Sequence, residues 1–89
     1  MEKIKVEKLT QEELENRGVK SWPIWEKEVS EFDWYYDETE QCYFLEGKVI
    51  VETKDMQLEI GAGDFVTFPA GLSCVWKVLE PVRKHYRFL

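Results

Sequence analysis

The feature that most constrains this chain is a period of two. Over residues 28–36 apolar and polar side chains alternate, so that Phe32, Trp34 and Tyr36 share one face. That pattern marks a strand with one side against a core. It recurs in short runs broken by glycine and proline. Residues 41–46 and 48–54 flank Glu46-Gly47, and residues 56–60 lead into Gly61-Ala62-Gly63-Asp64. Residues 65–68 stop at Pro69-Ala70-Gly71, and residues 73–79 and 82–88 flank Glu80-Pro81. Glycine supplies the positive φ such turns use. The pattern therefore predicts a hairpin at Glu46-Gly47, a second near Lys54-Asp55, and two final strands separated at Glu80-Pro81. Many short strands with regular turns fold as a sandwich or a barrel.

The N-terminal third reads differently. Residues 3–9 alternate, with Ile4 and Val6 apolar between Lys3, Lys5 and Glu7, as a half-exposed strand does. Thr10 and Glu13 have the spacing of a capping box, and Gly18 is a stop signal, which predicts one short helix over about residues 11–17. Residues 19–25 look extended, and Pro23 places that strand at an edge or bulge.

A chain of 89 residues is read as one domain, residues 1–89. A domain of this size buries only about 60% of its unfolded surface. Four Trp, four Tyr and five Phe supply a compact core all the same, because each buries roughly 150–250 Å². The formal net charge of −6 argues against nucleic acid, whose phosphates need clustered Lys and Arg. It also disfavours an anionic membrane surface. Cys42 and Cys74 form no C-x-x-C pair, so a structural zinc site is not expected. The chain begins with charged residues and has no apolar run near the length of a membrane span or a signal-peptide core. The expected location is cytoplasmic, with reduced thiols.

Two stretches carry a resemblance to a known family. FDWYYDETEQCYFLEGKV, residues 32–49, and GAGDFVTFPAGLSCVW, residues 61–76, resemble the two cupin motifs. Glu40 and Gly47 have the spacing of the first motif's Glu and hairpin Gly. Gly63, Pro69 and Gly71 fit the second in order, and Cys74 falls at its His position. The wording, including PVRKHYRF at residues 81–88, is similar to the small cupin domain that also occurs in (S)-ureidoglycine aminohydrolase. The resemblance implies an all-β, cupin-type double-stranded β-helix, a jelly-roll-like small barrel, with a pocket at its centre.

The same resemblance implies a metal held by three His and one Glu. This chain has a single histidine, His85, so that ligand set is absent. The His-x-His positions carry Trp34 and Tyr36, or Asp33 and Tyr35 if the spacing is one longer. No cofactor is expected. An unusual metal site of Glu40, Cys74 and Cys42 stays open, since thiolates suit soft or borderline ions.

Strand alternation from Glu40 puts Trp34, Tyr36 and Cys42 on its inward face. Cys74 and Trp76 share a face on the strand that the resemblance sets opposite. In the last strand, Val82, Lys84, Tyr86 and Phe88 alternate with Arg83, His85 and Arg87; the first set is expected to point inward and His85 to be solvated or at an interface. The candidate catalytic residues are Glu40, as a general acid or base in an apolar setting, and Cys74, as a thiol nucleophile. Trp34, Tyr36, Cys42, Trp76, Lys84 and Tyr86 are the candidate substrate-binding residues. Lys84 on an inward face calls for a partner: Glu40 or an anionic substrate.

Two functions of different classes remain open at this point. One is a metal-independent enzyme acting on a small polar metabolite, ureido- or amide-like. The other is a non-catalytic cupin binding module without the three-His site. In either case the expected partners are a small molecule in the barrel and a second copy of the chain in a homodimer paired through edge strands.

Overall fold

Glu46-Gly47 and Glu80-Pro81, where the sequence predicts a hairpin and a strand break, do not reverse the chain. The structure, a computed structural model, describes residues 3–89; Met1 and Glu2 of the expected domain lie outside the described residues. In it, β4 (Glu40–Glu52) and β7 (Ser73–Phe88) are single long strands. They pair antiparallel from Glu40 opposite Phe88 to Glu52 opposite Val75, with register shifts between Phe44 and Val49. Both apparent turns sit in this irregular stretch. Gly47 has φ +99°, and a Cβ there would lie 2.4 Å from the Pro81 carbonyl oxygen, so only glycine lets the backbones approach. Pro81 lacks an N–H, and a bulge is one of the few places inside a sheet that tolerates the missing donor.

The bulges divide each long strand into two working halves. β4 pairs through Glu40–Tyr43 with β6 (Phe65–Phe68) and through Lys48–Glu52 with β5 (Gln57–Gly61). β7 pairs through residues 73–78 with β3 (Ser30–Tyr35) and through residues 82–85 with β2 (Ile24–Lys27). β1 (Lys5–Glu7) pairs only with β6, giving a seven-stranded sheet of order β1-β6-β4-β7-β2 with β3 and β5 as side branches. Phe44, Val49, Val51, Ile60, Phe68 and Trp76 form the centre of the principal core. The result is the expected small all-β barrel with one short helix.

The helix α1 (Gln11–Asn16) begins as its sequence predicts. The Glu13 amide donates to Thr10 Oγ1 (3.1 Å) and the Thr10 amide to Glu13 Oε1 (2.9 Å). Each group satisfies a donor that the first turn leaves open. Gly18, at φ +69°, then redirects the chain. Residues 19–25 are not extended throughout: Val19–Ser21 form a 3₁₀ turn, stabilised by Ser21 Oγ donating to the Gly18 carbonyl (2.6 Å), and the strand starts only at Ile24. Leu14 and Val19 pack with Phe65, Trp22 and Tyr43 into a second, smaller core outside the barrel.

That second core changes the position of His85. The expectation of a solvated or interface residue is not met, because His85 is buried, with Nδ1 2.9 Å from the Trp22 carbonyl oxygen. Its outward direction is as expected, but the segment around Trp22 covers that face of the sheet. The Gly61–Asp64 turn is also tied down. Asp64 Oδ2 accepts from the Gly61 amide (2.8 Å), and the carboxylate pairs with Lys8.

Candidate functional site

The barrel encloses a cavity of about 160 Å³. Four strands supply its walls. β4 delivers Glu40, and β7 delivers Trp76 and Lys84. β2 and β3 supply Trp25 and Phe32, while Trp34 and Phe88, both half exposed, stand at the opening with Tyr86. Tyr36, just past the end of β3, is held by its amide donating to the Leu72 carbonyl (2.9 Å). The walls are aromatic, and the charged groups among the lining residues are Glu40 and Lys84.

These two form an ion pair. Lys84 Nζ lies 3.5 Å from Glu40 Oε2, with side chains only 5% and 7% exposed. The same ammonium donates to Cys42 Sγ at 3.2 Å. It also lies 4.8 Å from the Trp76 ring centroid and 5.0 Å from that of Trp25. Ring faces carry negative potential and favour a cation there. Burial pushes the Glu40 carboxyl above its ordinary value; the Lys84 charge and hydrogen bonds from Cys42 and Lys84 oppose that shift without cancelling it. A carboxyl in this state is suited to taking up and giving back a proton.

Tyr36 has a structural bond in the same wall. Its hydroxyl accepts from Trp76 Nε1 at 3.2 Å, and its ring stacks on Phe68 at 4.8 Å. Burial, and then the nearby Glu40 charge, push the phenol well above its ordinary range. It stays a neutral phenol. The thiols are likewise held protonated. Burial raises Cys42 to about 12 and Cys74 to about 11.

The structure thus gathers Trp34, Tyr36, Glu40, Trp76, Lys84 and Tyr86 around one cavity, with Cys42 directly behind the ammonium. It does not bring Cys74 to that cavity. Cys74 lies opposite Trp34 on the β3–β7 ladder and lines a separate open groove with Asp33, Ser73 and Thr53. Burial raises its thiol, opposed by a hydrogen bond with Trp76. Trp25, Phe32 and Phe88 are lining residues beyond those the sequence singles out. Phe32 and Phe88 carry a local signal, lying two positions from Trp34 and Tyr86 on alternating strands. Trp25 carries none, since it reaches the cavity through its pairing with Lys84 far along the chain.

The metal site that a cupin resemblance implies does not fit these residues. Of the two His-x-His alternatives, Trp34 has no metal-binding atom and the Tyr36 oxygen is engaged with Trp76, while Asp33 and Tyr35 line a separate groove and not this cavity. The cation facing Glu40 is the Lys84 ammonium, which would repel a metal ion beside it. Among the described residues no group of three or more His, Cys, Asp or Glu side chains is placed to hold a metal ion. No helix among them is long and apolar enough to cross a membrane.

Comparison with known proteins supports the same fold. A DUF861-family protein from Thermotoga maritima superposes with a TM-score of 0.96 at 62% identity, over 98% of this chain and 100% of that one. A putative ethanolamine utilization protein Q from Salmonella typhimurium gives 0.66 at 23% identity, over 93% of this chain and 66% of that one. The EutQ protein of Clostridium difficile gives 0.65 at 21%, over 71% of this chain and 50% of that one. At such identities these last two show the fold alone. No protein of curated function matches, and the finer likeness to (S)-ureidoglycine aminohydrolase finds no support among these matches. Residues 14–86, most of the chain, match the EutQ-like cupin domain, and the chain belongs to that family.

Proposed function

We propose that the cavity binds a small, planar, uncharged molecule of amide or ureido type, and that Glu40 serves it as acid and base without a metal. The observation that carries this reading is the Lys84–Glu40 pair, 3.5 Å apart inside aromatic walls. An amide offers an acceptor oxygen and a donor N–H in a fixed 1,3 relation. The ammonium of Lys84 matches the first and the carboxylate of Glu40 the second. The pair is neutral as a whole, which disfavours an ionic ligand that brings unmatched charge into a dry site. The volume is close to that of a cavity of roughly 150 Å³ that accepts benzene, so the ligand has roughly six non-hydrogen atoms. Flat aromatic walls suit a flat molecule. Cys74 has no part in this reading.

A second reading keeps the ligand and drops the chemistry. The buried ion pair favours it, because a carboxylate facing an ammonium can be a fixed recognition element. One experiment separates the two. Hydantoin and N-methylurea are titrated into labelled protein while the Trp76 indole N–H signal is followed, with acetate and methylammonium as charged controls. The proposal expects saturable shifts with the neutral probes and not with the ions. It fails if no probe shifts the signal, or if the ions bind as well. Ammonia release from N-methylurea that is lost in Glu40→Gln supports the enzyme; binding without release supports the module.

A further inference from the structure

We infer that this cavity enolises small uncharged carbonyl compounds, with Glu40 as the base that removes an α-proton and Lys84 as the cation that holds the developing oxyanion. The inference rests on the reading of the cavity as a site for a small neutral molecule and adds a reaction class to it. The ketone unit O=C–Cα has the same three-atom outline as the amide unit O=C–N. A ketone seated with its oxygen on Lys84 Nζ places an α-carbon, in place of the amide nitrogen, against Glu40. The separation of Nζ and Oε2, 3.5 Å, makes both contacts available to one small molecule.

Elementary chemistry favours this step in this setting. An α C–H is a weak acid in water, and removing its proton places negative charge on the carbonyl oxygen. The enzyme must therefore supply a base at carbon and a positive group at oxygen together. Both are present and fixed. Glu40 is positioned by β4 beside Cys42 and opposite Phe68 and Phe88. Lys84 is positioned by its bond to Cys42 and by the rings of Trp25 and Trp76. Aromatic walls limit water, which strengthens the attraction between ammonium and enolate. Burial makes the Glu40 carboxylate a stronger base than an exposed one.

The step balances without another reagent. The Cα–H bond breaks and its proton goes to Glu40. The electron pair forms the C=C bond, and the carbonyl π electrons move to the oxygen beside Lys84. Return of a proton from Glu40 to the same carbon restores the ketone, and in deuterated water it carries a deuteron once the carboxyl has exchanged with solvent. Neither oxidant, metal nor water is consumed.

Cyclopentanone, a neutral ketone with six non-hydrogen atoms, is the probe. Its α-proton signal is followed in deuterated water with wild-type protein, with Glu40→Gln, and with the double variant Glu40→Gln/Lys84→Met, which removes both buried charges together and so keeps the interior neutral. Binding is read separately from the Trp76 indole signal. The expected result is exchange faster than in buffer, reduced about 100-fold or more in both variants, the usual scale for a lost general base. A saturable Trp76 shift with exchange no faster than buffer overturns the enolisation while leaving the binding reading in place. No shift and no exchange overturns both for neutral carbonyls. Exchange that survives in folded Glu40→Gln overturns the role of Glu40.

Discussion

Lys84 and Glu40 neutralise each other inside the barrel at 3.5 Å, although 44 positions separate them in the chain. Each is tolerable there only because of the other. Lys84→Met leaves a buried carboxylate without its counter-charge and is expected to destabilise the protein by about 3–5 kcal/mol. The double variant Glu40→Gln/Lys84→Met is expected to recover most of that, to within about 1 kcal/mol of wild type, since a buried pair replaced by neutral groups of similar shape is often close to neutral. Urea unfolding of the three proteins at neutral pH measures both values. A double variant as unstable as the single would mean that the pair itself, and not the orphaned charge, carries the stability.

The pH dependence follows from the direction of the Glu40 shift. Burial raises the native carboxyl above its ordinary 4.5 despite Lys84, so the native state holds this proton more tightly than the unfolded chain. The associated stability is fully present below pH 4.5 and is lost as pH rises through the native value. The unfolding free energy of wild type minus that of Glu40→Gln should fall over that window and be flat on either side. A difference that grows with pH there would show that Lys84 outweighs burial.

Gly47 and Gly63 both have positive φ, +99° and +92°, but different surroundings. A Cβ at Gly63 meets nothing within 4 Å, whereas one at Gly47 runs into the Pro81 backbone. Gly63→Ala should cost about 1–2 kcal/mol for backbone conformation alone. Gly47→Ala should cost about 1–3 kcal/mol more than that, through overpacking. Thermal unfolding of the two variants side by side checks the order, and equal losses would mean that the bulge opens without strain.

Tyr36→Phe removes the acceptor for the Trp76 indole N–H, which lies in the core. An unpaired buried donor costs about 1–3 kcal/mol. The loss should appear in urea unfolding, together with faster solvent exchange of the Trp76 indole proton. Unchanged exchange would show that another group or a water takes the hydroxyl's place.

Neither thiol should react as an activated cysteine. With Cys42 raised to about 12 and Cys74 to about 11, alkylation by iodoacetamide in the native state at pH 8 should be far slower than in urea, because only the thiolate attacks. Rapid native labelling of Cys74 would restore it as a candidate nucleophile.

What the sequence determined by itself is local. Alternation marked the faces of β3, β4 and β7, the Thr10–Glu13 spacing marked the start of α1, and Gly63, Pro69 and Gly71 marked real turns. One face of β4 and one of β7 carried Glu40, Trp76 and Lys84 inward, because side chains on a strand alternate whatever the strand pairs with. Only the tertiary structure decided what those faces meet. Gly47 and Pro81 read as turns because a glycine that permits a reversal and a glycine that permits close approach look the same in a sequence; their pairing across the bulge distinguishes them. His85 read as solvated because nothing local shows that the Trp22 segment folds over it. Cys74 read as part of the site because it falls at the His position of the motif and shares a strand face with Trp76, yet it lines a separate groove while Trp76 lines the cavity. Such placements depend on contacts between residues far apart in the chain, and a periodicity of two carries no information about those.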